Sequence, residues 1–302
     1  MRSLQTGFGR IALVVAVMLV SAILVAAQAT KPVKIIMTTD MEGVDGVFDW
    51  KLQCIPNVSP RWEESRKLLT GEINAAVDGL LEGGATEVVV WDGHHDGENL
   101  SSLDIHPQAR LLTGLGNTTA FELDPSFAAH IFIGQHAMAG VETGVISHTE
   151  SFEVKNLWVN NKLVGEIGLE VMHAASFGIP TIMLAGDTAA CKELLDLVPQ
   201  AECAEVKSGV SRTAGFTLSH AAACALIREK ARRAVQRLAE FRPYRVPAPV
   251  DLRIEYVPGQ PALPPREGVE RLNDGTWVLH GKDFMEAYYR YVNPKRLEGK
   301  PQ

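Results

Sequence analysis

The sequence predicts an α/β fold: a mostly parallel sheet with flanking helices, followed by a smaller C-terminal α+β domain. Three observations carry that reading. Short, continuous apolar runs begin at Lys34, Glu87, His130 and Pro180, the pattern of strands buried on both faces. The first two runs are separated by a segment of helical period, and strand–helix–strand order gives a right-handed crossover and a parallel sheet. Beyond Pro199 such runs thin out and two Pro-rich stretches appear.

The chain opens with a targeting segment. Arg2 and Arg10 precede an apolar run from Ile11 to Ala27, and Ala27-Gln28-Ala29 has the small-x-small form of a signal peptidase site. Cleavage after Ala29 would export the remainder to the periplasm or medium. The alternative is an uncleaved anchor, the one route by which this chain would meet a membrane. Residues 30–199 then form the metal-binding α/β domain, and 200–302 a smaller domain suited to subunit contacts and a substrate cleft.

Lys34 to Thr39 reads as the first strand, Val44 to Pro60 as a loop, and Arg61 to Glu82 as a helix stopped by Gly83-Gly84. Glu87–Trp91 and His130–Gly134 are the next strands. Leu157 to Val164 forms a hairpin around Asn160-Asn161, leading into a helix from Gly165 to Ala175. A strand over Pro180–Ala185 and a helix from Ala189 to Leu197 follow. Ser219 to Phe241 is a long helix whose arginines mark a solvated face; Leu252–Val257 and Trp277–His280 read as strands, and Phe284–Val292 as a helix.

Formal net charge over the 302 residues is −7. The leader's only charges are Arg2 and Arg10, so removing those two positive charges leaves −9. An acidic chain without a basic run argues against a nucleic-acid partner. Cys54, Cys191, Cys203 and Cys224 have no CxxC spacing, which disfavours a zinc knuckle or redox pair; they read as structural or free, and export would permit one or two disulfides.

Chemistry concentrates at the strand ends. Asp40 and Glu42 lie two apart past the first strand, and side chains so spaced on an extended chain face one point. Two carboxylates held together call for a cation; on its own, the pair reads equally as a strand running into a polar turn. The second strand ends in Asp92-Gly93-His94-His95 and the third in Gln135-His136. In open α/β sheets functional groups gather beyond the carboxyl ends of strands, so Asp40, Glu42, His94 (or His95) and His136 form a convergent set.

Thr39-Asp40-Met41-Glu42-Gly43, Asp92-Gly93-His94, Gly134-Gln135-His136-Ala137, Ser147-His148 and Val164-Gly165-Glu166-Ile167-Gly168 together resemble the D-aminopeptidase family of dinuclear zinc peptidases. Weaker similarity extends through Ala185-Gly186-Asp187, Val206-Lys207, Ser211-Arg212 and Gly281-Lys282-Asp283, covering essentially the whole mature chain. The resemblance implies two Zn2+ per subunit: Asp40 bridging, Glu42 and His94 completing one site, His136 and Glu166 the other, with His148 catalytic. It further implies short peptide substrates with N-terminal D-residues and a homo-oligomer, in the family a ten-subunit ring. The leader departs from the cytoplasmic members.

Three carboxylates set −3 against +4, and a bridging hydroxide would complete neutrality; zinc brings bound water to a pKa of about 7. His148 would then transfer a proton to the leaving amine or stabilise the oxyanion. Asp92, Asp96 and Asp187 are candidates for orienting the histidines. Two other readings stand beside this one: a dinuclear hydrolase of another amide or a phosphoester, and an exported peptide-binding protein with a structural metal site.

Overall fold

The computed structural model describes residues 32–115, 123–260 and 263–297. The leader at 1–29 and its cleavage site lie outside the described residues. The strands are β1 (Lys34–Thr39), β2 (Glu87–Asp92), β3 (Ala109–Leu112), β4 (Phe127–Gln135), β5 (Val154–Val159), β6 (Lys162–Leu163), β7 (Thr181–Asp187), β8 (Glu202–Ser211), β9 (Ala214–Thr217), β10 (Val250–Tyr256), β11 (Val269–Asn273) and β12 (Thr276–Gly281). They form a seven-stranded sheet ordered β3-β2-β1-β4-β7-β8-β9 and a five-stranded sheet ordered β11-β12-β10-β5-β6. The large sheet is parallel from β3 to β8, with β9 returning antiparallel. The small sheet is antiparallel throughout.

β1 pairs with β2 on one side and β4 on the other. The chain leaves β1 in one direction and returns on the opposite flank, so their carboxyl ends open a crevice at a topological switch point. Ile35, Met37, Val88, Val90, Ile131, Ile133, Met183 and Ala185 are buried on these central strands, which explains their unbroken apolar runs. The helix Trp62–Glu82 packs along the helix His220–Gln236 over this sheet. Asn160 and Asn161 both take positive φ, 47° and 68°, the geometry a two-residue hairpin needs and asparagine tolerates.

Pro199 does not separate the two sheets. β8, β9 and the helix His220–Gln236 complete the large layer, whereas β5 and β6 join the small one. The expected boundary fell there because β8 lacks a continuous apolar run: its buried positions include Glu202 and Lys207. The short strands β3, which is half-buried, and β9 and β11, which are largely exposed, have no buried-face pattern either. The loop Val44–Pro60 contains one short helix, Trp50–Gln53, capped where the Asp49 carboxylate accepts Leu52 N–H.

The arginine-bearing helix spends its charge on ion pairs: Arg228 with Glu82, Arg232 with Glu229, and Lys230, Arg233 and Arg237 with the buried Glu202. The four cysteines are free thiols. Among the described residues no helix is long and apolar enough to cross a membrane.

Candidate metal centre

The crevice is built by a close approach between two strand ends. Beyond β1 the Asp40 N–H donates to Ile133 O at 2.9 Å and the Gly43 N–H to Gly134 O at 2.7 Å. A Cβ on Gly43 would stand 2.0 Å from Gln135 O, and one on Gly134, whose φ is +78°, 2.0 Å from Asp40 O. Only glycines allow these backbones to touch. The contact places Asp40 beside His136, the first residue past β4.

His94 Nε2 lies 2.7 Å from the Cys54 carbonyl oxygen. A carbonyl can only accept, so that nitrogen carries a proton and Nδ1 is the ring atom turned toward the carboxylates. Nδ1 is 2.9 Å from Asp40 Oδ1 and 3.2 Å from Glu42 Oε2. His136 is oriented the same way: Nδ1–H donates to Ala137 O at 2.9 Å, and Nε2 stands 3.3 Å from Asp40 Oδ2 and 3.5 Å from Glu166 Oε2. His148 donates Nδ1–H to Ile146 O at 2.9 Å and turns Nε2 toward Glu166 Oε1 at 3.7 Å. Glu166 opens the helix Glu166–Ser176, where the helix dipole favours a carboxylate, and its Oε1 accepts the Glu150 N–H at 2.6 Å.

Two groups result, Asp40–Glu42–His94 and His136–His148–Glu166, each with ligand atoms within 4.8 Å of one another and all six residues buried. The fold thus brings together all five expected ligands and His148. It also puts His148 within ligand reach of the second group, its ring stacked on His136 at 4.1 Å and 11°.

The donor set fits divalent cations. His136 Nε2 is buried without a hydrogen-bond partner, and each of the three imidazoles has spent its N–H on a backbone carbonyl. Without a cation the carboxylates favour protonated imidazoles instead. Burial alone would lower the His94 imidazole, but Glu42 and Asp40 raise it well above its usual value. Burial opposes the His136 imidazole likewise, and Glu166 and Asp40 overcome it. For Asp40, burial pushes the carboxyl up, while His136 and His94 hold it well below the carboxylate range.

His95 lies outside the cluster: its backbone takes φ 55°, its ring is half exposed, and its Nδ1 is 3.8 Å from the exposed Asp96. Asp92 and Asp187 act on backbone. Asp92 accepts the N–H groups of Asn99 and Leu100 at 2.6 and 2.8 Å, and Asn99 Nδ2 reaches His94 O at 2.6 Å. Asp187 accepts Val145 N–H at 2.7 Å, holding the segment that carries His148. The ring partners are instead the carbonyls of Cys54, Ala137 and Ile146, which no sequence motif marks. Trp50 closes one wall, edge-on to His94 and His148 at 6.0 Å each, and Phe152 stacks on the outer face of His148 at 4.6 Å.

A parallel sheet carrying two joined carboxylate–imidazole groups at its switch point is the framework of a metal-dependent hydrolase. The family profile of the M55 peptidases, described as D-aminopeptidase, matches residues 33–292. A D-aminopeptidase of Bacillus subtilis (strain 168) is 34% identical over 262 residues, 84% of this chain and 94% of that protein. The solved structure of the "Zn-dependent D-aminopeptidase DppA from Bacillus subtilis, a self-compartmentalizing protease" superposes with a TM-score of 0.77 at 31% identity, covering 89% of this chain and 99% of that one. The chain belongs to the D-aminopeptidase family of M55 peptidases.

Proposed function

We propose that this protein is an exported, zinc-dependent aminopeptidase that releases N-terminal D-residues from short peptides. The observation that carries the metal chemistry is Asp40, one carboxylate whose two oxygens face imidazoles of different groups, 2.9 Å from His94 and 3.3 Å from His136. Asp40, Glu42 and His94 would hold one ion, and His136 and Glu166, sharing Asp40, the second. Bound there, paired zinc ions would supply an activated water near neutral pH and polarise the scissile carbonyl.

The chain's own residues do the rest. The carbonyls of Cys54, Ala137 and Ile146 keep the three imidazoles in one tautomer each, so that lone pairs meet the centre. His148, at the cleft wall with Nε2 free of any carbonyl, is placed to take up at Nε2 the proton the attacking water loses and hand it on to the leaving amine. Trp50 and Phe152 exclude water from one side. Glu150 lines the same cleft beside Glu166 and its side chain makes no hydrogen bond among the described residues; it is our choice for receiving the substrate ammonium. The relatives' D-aminopeptidase descriptions support the stereochemistry.

Export rests on Arg2, Arg10, the apolar run to Ala27 and the Ala27-Gln28-Ala29 site, and predicts a periplasmic or secreted protein. Self-association into a homo-oligomer, a ten-subunit ring by family likeness, is part of the reading. The exposed Val210 and Phe216 of the β8–β9 hairpin support it as contact surface. The test is turnover of D-Ala-D-Ala against L-Ala-L-Ala by mature protein, with and without chelator, alongside metal analysis. Release of D-Ala that stops on chelation is expected; equal turnover of both peptides, or indifference to chelation, would overturn the reading.

A further inference from the structure

Two buried charged side chains outside the ligand set each tie down a different half of the centre. Glu193, on the helix Thr188–Leu197, is 7% exposed. Its Oε2 accepts the Met138 N–H at 2.9 Å and its Oε1 the Gly165 N–H at 3.0 Å. Met138 lies two residues after His136, and Gly165 immediately precedes Glu166. One carboxylate therefore sets the spacing between the segments that carry these two ligands. The fit is close on that side, since a Cβ on Gly165 would come 2.9 Å from Glu193 Oε1.

Lys207, on β8, is 3% exposed. Its Nζ donates to the carbonyl oxygens of Glu42, Val44 and Val47, the second at 2.8 Å. An ammonium has three donors, and all three are spent on the one loop that follows Asp40 and contains Glu42. The Phe48 ring, 5.2 Å away, covers the same ammonium. A buried charge is tolerated only when so satisfied, and here the satisfaction runs through the backbone of Glu42 and of the loop that follows it. Among the described residues neither side chain makes a hydrogen bond to the half that the other holds.

We propose that Glu193 and Lys207 are positioning residues with separate assignments. Glu193 sets the His136–Glu166 half, Lys207 sets the Glu42–His94 half, and the two metal affinities are thereby separately adjustable. This rests on the dinuclear reading above. The chemistry also specifies the variants. Glu193→Gln offers one acceptor oxygen for two N–H groups, so one bond is lost. Lys207→Met leaves three buried carbonyls without a donor. Lys207→Arg keeps the charge, but its planar fork cannot converge on three carbonyls around one point.

The experiment titrates metal-free protein with Zn2+, and with Co2+ for its absorption spectrum, in backgrounds where one half is disabled by Glu42→Gln or Glu166→Gln. With Glu42→Gln only the His136–Glu166 half remains; adding Glu193→Gln should weaken its ion about 10–100-fold, the range for loss of a group that orients a ligand, whereas adding Lys207→Met should leave it unchanged. With Glu166→Gln the pattern should reverse. Circular dichroism of the metal-free proteins checks folding, and where Lys207→Met does not fold, Lys207→Arg takes its place with a smaller loss in the same half. Equal weakening of both halves, or of neither, overturns the assignment. Fewer than two equivalents on the unaltered protein overturns the dinuclear reading itself.

Discussion

Asp40 Oδ1 lies 2.9 Å from His94 Nδ1 while Oδ2 of the same carboxylate lies 3.3 Å from His136 Nε2. His94 follows β2 and His136 follows β4, the two neighbours of β1 in the sheet. The strand between them therefore supplies the one side chain able to face both. Asp40→Asn preserves shape but removes the charge that both ring nitrogens face. It should lose at least one metal ion, and kcat/KM should fall by more than the roughly 10–100-fold that follows loss of an orienting partner. Retention of two ions and near-normal turnover would refute the bridging role.

Gly134→Ala tests the close approach that makes this arrangement possible. A left-handed backbone costs a non-glycine residue about 1–2 kcal/mol, and the new Cβ would also collide with Asp40 O. Urea unfolding should show a loss of at least that size, accompanied by weaker zinc binding. A variant of unchanged stability would show that the strand ends can separate without penalty.

Metal removal should lower the unfolding midpoint, because an ion bound only to the native state stabilises it by about 2.7 kcal/mol at a concentration of 100 Kd. Zinc added back to chelated protein should release protons, since His94 and His136 are raised above their usual values when no cation is present. Calorimetry in buffers of different ionisation enthalpy measures that release; buffer-independent heat would contradict it.

His130 predicts an acid limit to stability that is independent of the centre. It is buried between Thr38 Oγ1 at 2.9 Å and Thr181 Oγ1 at 3.0 Å, and burial, with the nearby His173, pushes its imidazole down to about 3. The folded value lies below the unfolded one, so the unfolded chain binds the extra proton. Stability is complete above about pH 6.5 and is lost as pH falls toward 3, by up to about 5 kcal/mol. His130→Gln should flatten that part of the pH–stability curve, measured on metal-free protein; an unchanged acid slope would assign the loss to other groups.

Much of the architecture was legible from residue types. The central strands are buried on both faces, so their apolar runs are unbroken, and the helix Trp62–Glu82 keeps a helical period that Gly83 ends. Ligand candidates were legible because carboxylates and imidazoles at successive strand ends are chemically conspicuous. β8 was hidden because its core positions hold Glu202 and Lys207, charges that are acceptable inside only beside the ion pairs and carbonyls of distant segments. Glu193 was hidden for the same reason, as an ordinary glutamate on an amphipathic helix.

The sequence alone determined which strands lie at the centre of the large sheet and which side chains offer lone pairs at their ends, since both depend on local composition and period. Tertiary structure decided the rest: that His94 and not His95 turns inward, that His148 stacks on His136, and that both sheets draw strands from either side of Pro199. It also decided which backbone carbonyl holds each ring. Every residue carries a carbonyl, so nothing in the order of residues distinguishes those of Cys54, Ala137 and Ile146 until packing sets them against an imidazole.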